Sequence, residues 1–355
     1  MSGADIGLIG LGTMGAMLAL NIADNGFTVA VHNRTAAKIP EFLESAGPLK
    51  DKFTGHAELK EFVDAIAKPR NIILMVPAGA PVDAQIEALR PFLDSDDLVI
   101  DAGNANFHDT QRRAIAAAKA GEPFLGIGVS GGAEGARFGP SIMGGGDKAA
   151  WDRVAPVLNA ISAKYEGTAC ATYMGPAGAG HFVKTVHNGI EYADMQLIAE
   201  AYGLMRDGMG KDAAACAEIF ANWDNGPLKS YLIEISGKVA AATDPDTGKP
   251  VLDIILDRAG QKGTGRWTVI ESQMLGAPVP VIEAAVAARN LSASRDLRLA
   301  GAKAYGSPIK KLADGALSLD DIEQALVAGK ILCYAQGFDL LSKASAEYEL
   351  SLIHI

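Results

Sequence analysis

The feature that most restricts what this chain can fold into is Gly10-Leu11-Gly12-Thr13-Met14-Gly15, which follows the apolar run Ile6–Ile9 directly and opens a stretch with apolar residues at Met17, Leu18, Leu20 and Ile22. The three glycines have separate physical uses. Gly10 permits a tight turn, Gly12 lets the backbone approach a pyrophosphate, and Gly15 lets helix and strand pack closely, while the helix N-terminus offers N–H groups to an anion. A bare glycine turn would use the same letters, but the strand before and the helix after give the motif its meaning. Further β-branched runs at residues 28–31, 71–76, 98–100 and 124–129 alternate with helical stretches, the rhythm of an open parallel sheet wound by helices. After Gly175-Pro176-Ala177-Gly178-Ala179-Gly180 that rhythm stops, and residues 181–206 carry apolar positions at helical spacing. The expected architecture is therefore an α/β Rossmann-type domain over residues 1–178 followed by an all-α domain over 179–349.

The second strand ends in His32-Asn33-Arg34-Thr35, about 20 residues past the fingerprint, where an NAD enzyme places a carboxylate for the ribose 2′-hydroxyl. No carboxylate stands there. Read alone, Arg34 is a solvated charge; at this point of the fold its guanidinium fork suits a 2′-phosphate, with Asn33 and Thr35 as added donors, so NADP is the expected cofactor. Met75-Val76-Pro77 closes the third strand and Asp101-Ala102-Gly103-Asn104 the fourth, where open sheets hold their ligands, which makes Asn104 a candidate contact to both cofactor and substrate.

With 355 residues, two domains are expected. Residues are 49% hydrophobic, yet apolar stretches break well before the roughly 18 residues of a membrane span. Met1 leads straight into the first strand without a basic and apolar leader, so a cytoplasmic location is expected. The three cysteines, Cys170, Cys216 and Cys333, are too scattered for a disulfide framework or zinc. A net charge of -10 disfavours nonspecific nucleic-acid binding, and no His, Asp and Glu cluster has metal-ligand spacing.

Gly128-Val129-Ser130-Gly131-Gly132-Ala133-Glu134-Gly135-Ala136 offers a hydroxyl and bare backbone N–H groups suited to a carboxylate. With the fingerprint, this segment resembles the β-hydroxyacid dehydrogenase superfamily, whose members join a Rossmann domain to a helical one and use a lysine on the first interdomain helix. The resemblance makes that lysine Lys184. On a helix, Lys184, His187, Asn188 and Glu191 share one face, with Tyr192 at its edge, although a solvated polar stripe has the same spacing. Asp257-Arg258-Ala259-Gly260-Gln261-Lys262-Gly263-Thr264-Gly265-Arg266-Trp267 resembles the signature of 6-phosphogluconate dehydrogenases, and the smaller relatives usually carry Asn where His187 stands.

That resemblance implies oxidation of the 3-hydroxyl of 6-phosphogluconate, loss of carbon dioxide, and release of ribulose 5-phosphate with NADPH, with no metal. It implies Lys184 as base and then acid, and Glu191 as the acid toward C1 of the enediol. It further implies phosphate contacts from Tyr192, Lys262 and Arg289, and contacts to carboxylate, hydroxyl and cofactor from Asn104, Ser130, Gly131, Gly132, His187 and Asn188. Arg289, on an apolar helical stretch at 281–291, carries no signal of its own. Pro77 stands where many relatives have Lys. Two other readings share part of these residues: a β-hydroxyacid dehydrogenase that does not decarboxylate, and a noncatalytic NADP-binding module. Family members are usually homodimers and continue for roughly a hundred residues more, with a tail that reaches the neighbouring subunit; the expectation is therefore a truncated second domain and a non-native tail at residues 350–355, where the helical pattern of 340–348 breaks.

Overall fold

The computed structural model describes residues 3–261, 263–306, 311–313 and 315–350. Among the described residues, ten strands follow in order: β1 Ile6–Ile9, β2 Val29–His32, β3 Phe53–His56, β4 Asn71–Leu74, β5 Leu98–Asp101, β6 Phe124–Ser130, β7 Ser141–Gly146, β8 Lys164–Tyr165, β9 Thr168–Ala169 and β10 Ala171–Gly175. Eight of them form one sheet in the order β10-β7-β6-β5-β4-β1-β2-β3, and β8 pairs with β9. Strands β1 to β6 run parallel, whereas β7 is antiparallel to β6 and β10 parallel to β7, so the sheet is mixed rather than wholly parallel. Strand order reverses around β1, with β2 on one side and β4 on the other, and in open α/β sheets the crevice at such a switch point holds the ligand.

Successive residues of a strand point to opposite faces, and both faces here are covered. Leu8, Val31, Ile73, Ile100 and Leu125 enter the core on one side. Ile9, Ala30, Ile72, Leu74 and Val99 enter the core on the other. This double burial is why the runs read as continuous apolar stretches. The second strand lies one residue later than expected because His32 continues the register opposite Ile9.

Contacts divide the chain into two compact units: the residues up to Thr185 joined by the stretch from Leu341 onward, and Val186–Leu340. In the first unit, the helix Ala179–Gly203 begins hard against the glycines of β6 and β7. A Cβ at Gly180 would lie 2.6 Å from the Gly126 carbonyl oxygen and 2.7 Å from the Gly145 nitrogen. In the second unit, the helices Ala179–Gly203 and Leu319–Tyr348 pack antiparallel where glycines leave room: Gly337 faces Ile190, and Gly329 faces Leu197. Lys330 Nζ pairs with Asp194 Oδ2 at 2.6 Å in the same contact. Helices Ala213–Trp223 and Tyr231–Ala241 complete that unit's core around Met205, Phe220, Trp223 and Ile233.

Gly180→Ala should lower stability by about 3 kcal/mol, since the atoms it meets are backbone and cannot turn aside. Gly203→Ala, where an added Cβ meets nothing within 4 Å, should raise it by roughly 0.5–1 kcal/mol. Urea unfolding of both variants measures the two signs.

Candidate functional site

The fingerprint turn leaves β1 through Gly10, whose φ of +105° a residue with a side chain avoids. A Cβ on Gly15 would strike the Gly10 carbonyl, while one on Gly12 would meet nothing within 4 Å, so Gly15 is closed by packing and Gly12 faces open space. The helix Thr13–Asp24 starts with Gly12 at its N-cap and no side-chain cap, which leaves the first-turn N–H face available to an anion. Leu11 and Gly15 are buried, Met14 is half-buried, and Thr13 is exposed.

Asn33 braces this turn. Its Oδ1 accepts from the Leu11 N–H at 2.9 Å and its Nδ2 donates to the Thr35 carbonyl at 2.9 Å, so both ends of the amide hold backbone. Arg34 and Thr35 are exposed beyond the end of β2, and no acid stands beside them in sequence. At the end of β4, Met75 and Val76 are half-buried and Pro77 is exposed.

The loop after β5 is fastened from several directions. Asp101 is fully buried, accepts from the Gly103 N–H at 3.1 Å, and faces Arg113 Nη1 at 3.4 Å. Arg113 in turn pairs with Asp83 at 2.8 Å. Asn104 is left exposed at the tip. His181, which the sequence reading did not single out, lies buried behind this loop: its Nε2 stands 2.9 Å from the Gly103 carbonyl oxygen and its Nδ1 2.8 Å from Thr110 Oγ1. Burial holds its pKa below the usual 6.5, against the opposing pull of the Asp101 charge.

At the end of β6, Ser130 is buried, and Gly131 and Gly132 take φ of +129° and +63° to start the helix Gly132–Phe138. Lys184 is buried in the first unit with its stem against Gly128, where any side chain on β6 would collide with the lysine Cβ. On the same helix, in the second unit, His187 Nδ1 lies 3.1 Å from Asn188 Oδ1, and Asn188 Nδ2 donates to Thr264 Oγ1 at 2.8 Å. Glu191 is half-buried. The Tyr192 ring occupies the place of a Gly265 side chain, whose Cβ would lie 2.5 Å from it. Arg289 brings its guanidinium carbon to 4.1 Å from the centroid of that ring and donates from Nη1 to the Gly260 carbonyl at 2.8 Å. Two residues whose connection no local spacing displays, Tyr192 and Arg289, are thus neighbours. Lys262 lies outside the described residues.

Two family models cover this chain: one described as the NAD binding domain of 6-phosphogluconate dehydrogenase matches residues 5–175, and one described as 6-phosphogluconate dehydrogenase, C-terminal domain, matches residues 180–354. The chain belongs to the 6-phosphogluconate dehydrogenase family. It is 48% identical over 355 residues to the NADP(+)-dependent, decarboxylating 6-phosphogluconate dehydrogenase of Bacillus subtilis, covering 99% of this chain and 75% of that protein. To the decarboxylating 6-phosphogluconate dehydrogenase 1 of Saccharomyces cerevisiae it is 48% identical over 348 residues, covering 97% of this chain and 71% of that one. The solved Plasmodium falciparum 6-phosphogluconate dehydrogenase, described in apo form and in complex with NADP+ and with 6-phosphogluconate, matches with a TM-score of 0.90 at 40% identity over 98% of this chain and 75% of its own. A Mycobacterium tuberculosis 3-hydroxyisobutyrate dehydrogenase matches with a TM-score of 0.57 at 21% identity, which shows the shared fold alone.

These matches leave the expected truncation of the second domain unsupported, because the models of both domains are matched. Of the stretch read as a non-native tail, Leu350 is buried in the first unit and residues 351–355 lie outside the described residues.

His181 gives this dehydrogenase fold a pH dependence. A buried imidazole with a lowered pKa is neutral when folded and takes up a proton on unfolding, so its contribution to stability is complete above about pH 6.5 and is lost as pH falls through the folded value. The difference in urea midpoint between the parent chain and His181→Gln should shrink between pH 8 and pH 5; a constant difference would show that His181 does not titrate in this way.

Proposed function

We propose that the chain is an NADP-dependent, decarboxylating 6-phosphogluconate dehydrogenase that converts 6-phosphogluconate to ribulose 5-phosphate and carbon dioxide with formation of NADPH. The observation that carries this reading is the meeting, within the second unit, of the Ala179–Gly203 helix with the family signature: Thr264 holds Asn188, Gly265 seats Tyr192, and Arg289 stacks on the same tyrosine. A cation held over an aromatic ring beside a glycine-lined turn suits the phosphate end of the substrate.

The residues fit NADP. Gly12 opens on free space at an uncapped helix N-terminus, as a pyrophosphate needs, and exposed Arg34 follows β2 where a 2′-phosphate would lie. Gly10 to Gly15, Asn33 to Thr35, Met75 to Pro77 and Asn104 would hold it, and when bound it supplies the hydride acceptor. Lys184, buried against β6, takes the 3-hydroxyl proton as C3 is oxidised, then returns a proton to the carbonyl oxygen as the C–C bond to the carboxylate breaks and its electron pair moves onto the substrate. Glu191, seven residues on along the same helix, delivers a proton to C1 of the resulting enediol. Ser130, Gly131 and Gly132 orient the carboxylate through a hydroxyl and backbone N–H groups freed by glycine, while His187 and Asn188 hold hydroxyls. Lys262 would join Tyr192 and Arg289 at the phosphate.

The active form is read as a cytoplasmic homodimer. Supporting the dimer, the second unit exposes large apolar side chains, among them Tyr305 at 90%, Met274 at 76%, Leu297 at 71% and Leu256 at 65%, which a second copy would cover. Among the described residues, no helix is long and apolar enough to cross a membrane.

Lys184→Met and Glu191→Gln should each lower turnover of 6-phosphogluconate by about 10² to 10⁴ with NADP binding kept. NADPH absorbance with 6-phosphogluconate, set against NADP fluorescence titration, separates the two effects; a parent chain that binds NADP yet oxidises only a small β-hydroxyacid would overturn the assignment. Arg34→Ala should weaken NADP by roughly 10- to 100-fold, equivalent to about 1.5–3 kcal/mol, and leave NAD unchanged, and Gly12→Ala should weaken both nucleotides without lowering the melting temperature.

A further inference from the structure

We propose that His181 is a positioning residue for the reaction: it sets Asn104 through the Gly103 carbonyl. The carbonyl of Gly103 and the amide of Asn104 belong to one rigid peptide plane, so holding that oxygen fixes the direction in which the chain enters Asn104. His181 Nε2 is 2.9 Å from it, and since a carbonyl only accepts, Nε2 carries the proton. The other ring nitrogen is engaged by Thr110 Oγ1 at 2.8 Å, which stops the ring from turning. On the opposite side of the loop, Asp101 holds the Gly103 N–H at 3.1 Å. Gly103, the residue before Asn104, is therefore held at both its N–H and its carbonyl by groups that are almost wholly buried, while Asn104 itself is exposed.

The same imidazole also fills the space of a Gly126 side chain, whose Cβ would lie 2.9 Å from Nδ1. Lys184 stands three residues further along the helix, in contact with Gly128 two residues along the same strand. One ring thus ties the β5 loop, strand β6 and the lysine-bearing helix together. A residue needed only to fill a core would be served by an apolar side chain here; the orphaned Gly103 carbonyl would not.

The inference rests on the reading of Asn104 as a contact to cofactor and substrate, and a double-mutant cycle tests it on the intact chain. The measured quantities are the NADP dissociation constant and kcat/KM for 6-phosphogluconate in the parent, Asn104→Ala, His181→Phe and the double variant. If His181 acts through Asn104, His181→Phe loses about tenfold or more in the parent background and little in the Asn104→Ala background. Thr110→Val, which keeps the volume and removes one hold on the ring, shows the same dependence on Asn104 at smaller size and decides the matter if His181→Phe does not fold; His181→Gln, which retains a donor, recovers part of the loss. Equal losses in both backgrounds, or none in either, overturn the proposal while leaving the role of Asn104 intact. An Asn104→Ala variant with parent constants overturns both. If the parent binds NADP but does not turn over 6-phosphogluconate, the functional reading fails, and the cycle in NADP affinity still decides the role of His181.

Discussion

Backbone meeting backbone, with no side chain between, is the constraint on which the first unit depends. The start of the Ala179–Gly203 helix can reach β6 and β7 only because Gly180, Gly126, Gly128 and Gly145 carry no Cβ. That closeness brings the Lys184 stem against the sheet and puts the His181 ring behind the β5 loop. Packed interiors tolerate little added volume, so the glycine-rich stretch where the strand rhythm stops is a close-packed joint of the unit.

Legibility in the sequence followed burial. Strands β1, β4, β5 and β6 announced themselves because both of their faces are covered, which demands unbroken apolar runs. Edge strand β3 has exposed Thr54 and Gly55 and carries no such run. Strand β7 is half glycine, a composition that argues against a strand until Trp151 is seen filling the space beside Gly144.

The site divides in the same way. The fingerprint glycines and the residues from Lys184 to Glu191 are local patterns and could be read in place. Arg289 could not, because its meaning comes from Tyr192, 97 residues earlier, and from the Gly260 carbonyl. Asn33 sits where expected, yet both ends of its amide are spent on Leu11 and Thr35, so it organises the turn that presents Arg34. His181 was hidden because a histidine among glycines and apolar residues has no periodicity to mark it; its signal was chemical, a titratable ring placed where the chain becomes core. In the second unit, buried Asp194 pairs with half-buried Lys330 beside Gly329, where charge and shape agree on one register of two long helices.

The stretch from Leu341 returns to the unit that the fingerprint begins: Leu341 and Ala344 are buried, and the Tyr348 ring lies 5.1 Å from that of Phe107. A chain emerging from a ribosome presents its early strands long before this helical end exists. The nucleotide-binding half, synthesised before the helical residues 186–340, is therefore closed only after they have been made, and throughout that time the aromatic face around Phe107 and Phe182 waits for its partner.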